Sequence, residues 1–312
     1  MKKAVVIGGT GQIGEYLVPM LVMDGYSVSI ISRGQTKPAI KRGEWKEVAM
    51  ISLRRGAPDF EKQIASLNPD IVIDIVCYEN DDMMRLVNAL RGVVSHYLAI
   101  GSGWIHGRSG CVPVLEEECR NPLCEYGIQK DLMDKTLTNE YKENGFPGSC
   151  VHPGHIICPG RPPVNPQGHD NLEVFETLRQ GRPLYLPNFG METLHHVHAD
   201  DVAGVLMAAI RVGKPSFGEG FHAVSPRAVT LCGYAEEVSS WFGKEADLHF
   251  EPFEQWRKRV AASEGLETLD HITHSPCYSM EKAARILHFT PAHTTFESIR
   301  ECLTSFKQFR DL

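Results

Sequence analysis

Short apolar runs alternate along the chain with longer segments in which apolar residues recur at spacings of three and four. The runs at 3–7, 27–31, 47–51, 71–76, 97–100 and 148–152 are bounded by Gly, Pro, Asn or Asp, the punctuation of strands. Residues 12–23, 59–67, 81–90 and 125–143 lie between them and carry the helical period. This β-α alternation, closed by a sixth strand, predicts an α/β fold built on a doubly wound parallel sheet. Beyond Pro153 the regularity is lost: helices are predicted at 172–180, 201–212, 230–242 and 295–309, separated by Pro-rich loops. On the second of these the stripe Val202, Val205, Leu206 and Ala209 reads as core. Gly and Pro cluster between Pro153 and Gly168 and mark a linker out of the first domain.

Composition narrows the partners. Of 312 residues, 42% are hydrophobic and 23% charged, enough apolar material for a well-buried core. Thirty-two Lys and Arg against 39 Asp and Glu give a net charge of −7, and the basic stretches, such as Lys41-Arg42 and Arg54-Arg55, are short. Nucleic acid and anionic membrane surfaces need clustered positive charge and are not expected partners. No apolar run approaches a membrane span, and the one after Met1-Lys2-Lys3 ends at Ile7, too short for a signal peptide. Nine cysteines without a C-x-x-C pair read as reduced thiols, which points to a cytoplasmic protein. Cys77 and Cys158 fall near the inferred cleft and read as inert.

The first chemistry is Gly8-Gly9-Thr10-Gly11-Gln12-Ile13-Gly14, between the first strand and the first helix. Glycines at 8, 11 and 14 let backbone N–H groups approach a pyrophosphate, and the helix start adds unpaired donors and a positive dipole end. Gly8, Thr10, Gly11, Gln12, Ile13 and Gly14 are therefore the expected cofactor-binding residues of a Rossmann-type domain. The second strand runs into Ser32-Arg33 where NAD-binding chains carry an acid. A hydroxyl and a guanidinium suit a 2′-phosphate, so NADP (NADPH) is expected over NAD.

The second constellation is Tyr126 and Lys130, four apart on one helix face. A free phenol, with a pKa near about 10, needs a neighbouring cation to act as a base at neutral pH. The same spacing recurs at Tyr278 and Lys282, next to Pro276. Tyr126 heads the helix after the fifth strand, whereas Tyr278 lies far in sequence from the glycine loop; position therefore favours Tyr126. Ser102, after the fifth strand, places a hydroxyl at the carboxyl edge of the sheet, and the adjacent Trp104 reads as a pocket wall.

The glycine loop, Ser102 and Tyr126-Gly127-Ile128-Gln129-Lys130, with the later 196–202 segment, resemble the short-chain dehydrogenase/reductase superfamily. Within it the chain is similar to the extended branch, the NAD(P)-dependent epimerase/dehydratase family. The resemblance implies Tyr126 as general acid/base, Lys130 as its pKa-lowering partner and ribose ligand, Ser102 as the carbonyl-orienting hydroxyl, and Tyr126, Lys130 and Pro153 beside the cofactor. It implies an NADP-dependent oxidoreductase that passes hydride between nicotinamide and a carbonyl or alcohol carbon of a small molecule. An epimerase using a transient ketone and a non-catalytic NADP-binding regulator are the alternatives. Gly103-Trp104 replaces the Asp-Glu of sugar-nucleotide dehydratases, which disfavours dehydration; His152 precedes Pro153-Gly154 where an Arg is common, and Asp74-Ile75-Val76 replaces an Asn-containing segment. Residues 1–155 with about 190–225 are expected to form the NADP-binding domain, and about 156–189 with 226–312 the smaller C-terminal substrate-binding lobe. Family members commonly pair as homodimers through the Tyr-bearing helix and the one before it, where Leu132, Met133 and Leu137 either meet a partner or pack on the sheet.

Histidines cluster at His152 and His155 and at His195, His196 and His198 before Asp200-Asp201. Alternate residues on an extended segment face opposite sides, so no metal site is expected, and the two acids suit a helix N-cap. Trp104, His155, Asn165 and His196 remain as candidate substrate contacts, with Arg179 and Arg182 read equally well as helix surface.

Overall fold

In the computed structural model, which describes residues 1–35 and 43–312, the apolar runs become strands β1 (Lys3–Ile7), β2 (Ser27–Ser32), β3 (Ala49–Ser52), β4 (Ile71–Asp74), β5 (His96–Ile100) and β6 (Gly148–Pro153). The Lys41-Arg42 stretch lies outside the described residues. Helices α1 (Gln12–Met23), α2 (Phe60–Ser66), α3 (Asn80–Leu90) and α4 (Glu125–Asn144) connect them. A seventh strand, Gly220–Ala223, joins β6, and the all-parallel sheet runs from it through β6, β5, β4, β1 and β2 to β3. Strand order reverses between β1 and β4, the switch point at which open α/β sheets bind ligands.

Period-two alternation on β1 explains the layers. Ala4 and Val6 face one core with Leu17 and Leu21 of α1, whereas Val5 and Ile7 face another with Phe60, Leu86, Met133 and Leu137. Burying each such aliphatic chain contributes about 1.5–3 kcal/mol. Met133 and Leu137 are thereby committed to the core and unavailable to a partner subunit; Leu132 alone of the three is exposed. Arg55 also turns inward, 2.5 Å from the buried carboxylate of Asp74, so the Arg54-Arg55 stretch is not a basic patch.

The rest of the chain forms β7 (His155–Ile157), α5 (Glu173–Arg179), β8 (Leu184–Pro187), β9 (Thr193–Leu194), β10 (His196–His198), α6 (Ala199–Val212), β11 (the seventh sheet strand), β12 (Val229–Thr230), α7 (Leu231–Trp241), β13 (Leu248–Glu251), α8 (Phe253–Trp256), α9 (Ala262–His274) and α10 (Thr295–Thr304). Three two-stranded sheets, β7 with β10, β9 with β12 and β8 with β13, frame a third core around Phe175, Leu186, Tyr234 and Ile299. The α6 stripe Val202, Val205, Leu206 and Ala209 is core, beside α1. Ala283 and Leu287 also pack into that cluster, so the chain returns to the core beside α1 late in the sequence.

Four local expectations need correction. His198, not the acids after it, caps α6 by accepting the Asp200 amide at 3.1 Å, while Asp201 accepts the amides of Ala292 and His293. Thr230 is the cap of α7, not its first residue, and its hydroxyl accepts the Gly233 amide at 3.1 Å. The final predicted helix stops at Thr304. Helix α9, absent from the periodic reading, buries Gly265, Thr268, His271 and His274 with a single aliphatic residue, Ile272, instead of an apolar stripe.

Candidate active site

The glycine loop sits at the switch point. Gly8 has φ +84°, and a Cβ there would lie 2.6 Å from Val76. A Cβ on Gly14 would come within 2.1 Å of the Gly9 carbonyl oxygen, so α1 can lean on the loop only because that position is bare. Gly11 caps α1 without a side-chain hydrogen bond, which leaves the helix start open to an anion. These residues fit a dinucleotide pyrophosphate. Ile13 is core, so its backbone amide is what it has to offer. At the end of β2 the Ser32 hydroxyl accepts the Gly34 amide at 3.2 Å, and Arg33 is exposed.

Ser102 follows β5. Its amide donates to His152 Nδ1 at 3.2 Å and its Oγ accepts the Trp104 amide at 3.2 Å, which fixes the hydroxyl at the sheet edge. Tyr126 lies in the first turn of α4 and Lys130 one turn later. Lys130 is 1% exposed, and its Nζ donates to the carbonyls of Ile100 at 2.6 Å and Cys77 at 2.7 Å. The ammonium stands 5.6 Å from the centre of the Tyr126 ring and 5.2 Å from that of Tyr78. Burial lowers the Lys130 pKa; burial also pushes the Tyr126 phenol up, and a hydrogen bond with Ser102 pulls it back.

Ser102, Trp104, Tyr126, Pro153, Gly154, His155, Pro276 and Tyr278 line a cavity of about 170 Å³. The structure thus brings Ser102, Tyr126 and Pro153 together with two of the candidate substrate contacts, Trp104 and His155. Asn165 and His196 lie elsewhere. Asn165 is fully buried and bonds the Gln167 amide, His169 and the Asn171 carbonyl, while His196 Nε2 meets the Val164 carbonyl at 3.0 Å. Asn165 holds a loop and has little left for a ligand, whereas His196 keeps its Nδ1 buried without a partner.

Tyr278 is the residue that sequence distance misjudged. A bridge to Val114 carries it to the cavity, where its ring edge lies against Gly103 so closely that a Cβ there would be 2.3 Å away. Gly103 was the available signal: a bare residue beside Ser102 makes room for a ring.

Among the described residues, two His-containing clusters have ligand atoms close enough for a metal: Asp134, Cys150 and His152, and His198, His293 and Glu301. The tautomers argue against it. His152 and His198 each spend the Nδ1 lone pair on a backbone amide, which puts the proton on Nε2, facing Asp134 at 3.2 Å and Glu301 at 3.5 Å respectively. Neither ring offers a cation a lone pair.

Comparison with known proteins agrees with this geometry. Residues 4–218 match the model of the NAD dependent epimerase/dehydratase family. The chain is 26% identical over 243 residues to a 2'-dehydrokanamycin reductase of Streptomyces kanamyceticus, covering 78% of this chain and 67% of the relative. It is 25% identical over 268 residues to the chloroplast stem-loop binding protein of 41 kDa b of Arabidopsis thaliana, covering 81% and 67%. The UDP-glucose 4-epimerase of Thermotoga maritima shares the fold, with a TM-score of 0.74, 17% identity and coverage of 98% and 99%. The protein belongs to the NAD dependent epimerase/dehydratase family and is an NAD(P)-dependent enzyme of its reductase and epimerase type.

Proposed function

We propose that the protein is an NADPH-preferring carbonyl reductase in which Tyr126 transfers the proton. The observation that carries this reading is the convergence of Ser102 and Tyr126 on one small cavity, with the Lys130 ammonium one helical turn behind. When bound, the nicotinamide cofactor supplies or accepts the hydride. Ser102 orients the substrate carbonyl, and the Tyr126 hydroxyl donates its proton to the oxygen as charge develops there. Two of the three Lys130 protons go to backbone carbonyls, which leaves one for a cofactor ribose hydroxyl and holds the cation near the nascent phenolate. Exposed Arg33 is read as the 2′-phosphate partner. Pairing of two copies through α3 and α4 belongs to this reading, with exposed Leu132 as its apolar contact on α4.

The test is NADPH oxidation, followed by absorbance, against a panel of aldehydes and ketones. Turnover with a member of the panel is expected. Cofactor that copurifies and never exchanges would favour the epimerase alternative instead, and NADPH binding without turnover the regulator.

A further inference from the structure

We infer that Tyr278 and His155 form a hydroxyl-recognition pair in the cavity, and that the reacting end of the substrate is an uncharged hydroxyketone whose neighbouring hydroxyl they bind. The inference rests on the reading of this cavity as the reaction site. Tyr278 is 4% exposed, lines the cavity, and its phenol oxygen has no hydrogen-bond partner in the protein. Its ring is not free to seek one. The Tyr278 amide donates to His195 Nδ1 at 3.0 Å, the ring stacks on His195 at 6.0 Å and 18°, and Gly103 closes on its edge. Buried hydroxyls are rarely left unpaired, so an O–H held in place on a cavity wall points to a partner that arrives with the ligand.

His155 gives the second, independent observation. Both of its ring nitrogens are buried without partners, and the ring is held edge-on to His271 at 4.6 Å and 89°. Burial and the neighbouring histidines hold it neutral, so it presents one N–H and one lone pair. In the inferred arrangement one substrate hydroxyl accepts from Tyr278 and donates to His155, since both unpartnered residues line the same cavity. The charge of the wall completes the class: Ser102, Trp104, Tyr126 and Tyr278, with the prolines and neutral His155, include no cation and no carboxylate. A phosphate, carboxylate or ammonium group at this end of a substrate would be desolvated without a counterion.

The test uses two probes, 2-hydroxycyclohexanone and cyclohexanone, with full-length protein. Binding to the NADP-loaded protein is read by ligand-observed NMR, and NADPH oxidation is read separately. The hydroxyketone should bind at least about tenfold more tightly than cyclohexanone, because a site built around a hydroxyl rejects the analogue that lacks it. In Tyr278→Phe the preference should fall below about threefold with unchanged melting temperature, since the lost hydroxyl had no protein partner. Gly103→Ala, which displaces the ring without altering it, should also weaken the preference. Equal binding of the two probes by the unaltered protein, no binding of either, or full preference retained in both variants would each overturn the inference. Selective binding without NADPH oxidation would instead overturn the reductase reading alone, and oxidation of NADPH by both ketones with equal efficiency would overturn the hydroxyl pair alone.

Discussion

The chain carries the Tyr-x-x-x-Lys spacing twice, and both tyrosines reach the same cavity, yet their surroundings suit them to different work. Tyr126 is on a helix, so Lys130 shares its face, and the ammonium is buried close to the ring. Tyr278 is in a bridge to Val114, and Lys282 pairs instead with Glu219 at 2.9 Å and Glu117 at 3.2 Å. The Tyr126 phenol is raised by burial but has Ser102 to lower it, whereas burial raises that of Tyr278 further and only Cys277 is near enough to add to the shift. Identical spacing brings the cation to the ring only where the backbone is helical and the cation has no acid of its own, and the proposed acid/base role of Tyr126 rests on that difference.

The contrast can be broken most severely at the lysines. Lys130→Met should lower kcat/KM by about a hundredfold or more, within the range that general acid/base catalysis contributes. Acid should act next, and on the Tyr278 side. Burial holds His195 at about 4 and His106 at about 3, and both rings pack against Tyr278. Between the unfolded value of about 6.5 and these folded values, the unfolded chain binds protons that the native state refuses. Stability is therefore fully present above about pH 6.5 and falls with acidification, by about 1.4 kcal/mol per pH unit for each histidine. Urea unfolding at pH 7 and pH 5 checks this, and equal stability at the two pH values would refute it. Arg33→Ala tests the cofactor end: the unaltered protein should bind NADPH at least about tenfold more tightly than NADH, and the variant should lose most of that margin, about 1.4 kcal/mol. The smallest effect on catalysis belongs to Lys282→Met, which should leave kcat/KM within about twofold while costing about 1–3 kcal/mol in unfolding experiments, because its 10% exposed side chain bonds both Glu219 and Glu117.

Legibility in the sequence follows the same division. The strands and glycine loop were readable because β-branched runs, helical periods and glycines are local signals. The α9 helix was not, because its buried face is Gly265, Thr268, His271 and His274 with Ile272 as its one aliphatic residue, which makes no apolar period. Strand β11 is Gly-Phe-His-Ala, too short and too mixed to stand out. Asn165 is a polar residue in a loop-rich region, but its hydrogen bonds are spent on neighbouring backbone and side chains, which composition does not reveal. Tyr278 reaches the site through a non-local bridge, and only the bare Gly103 hinted at it.

The central claim is that Tyr126 moves the proton. Its most direct test is the single-turnover rate of NADPH oxidation in Tyr126→Phe, with NADPH affinity measured on the same sample. A loss of about a thousandfold in rate is expected, with NADPH affinity within about threefold of the parent. A variant that binds NADPH equally well and oxidises it at a rate within about tenfold of the parent would contradict the account.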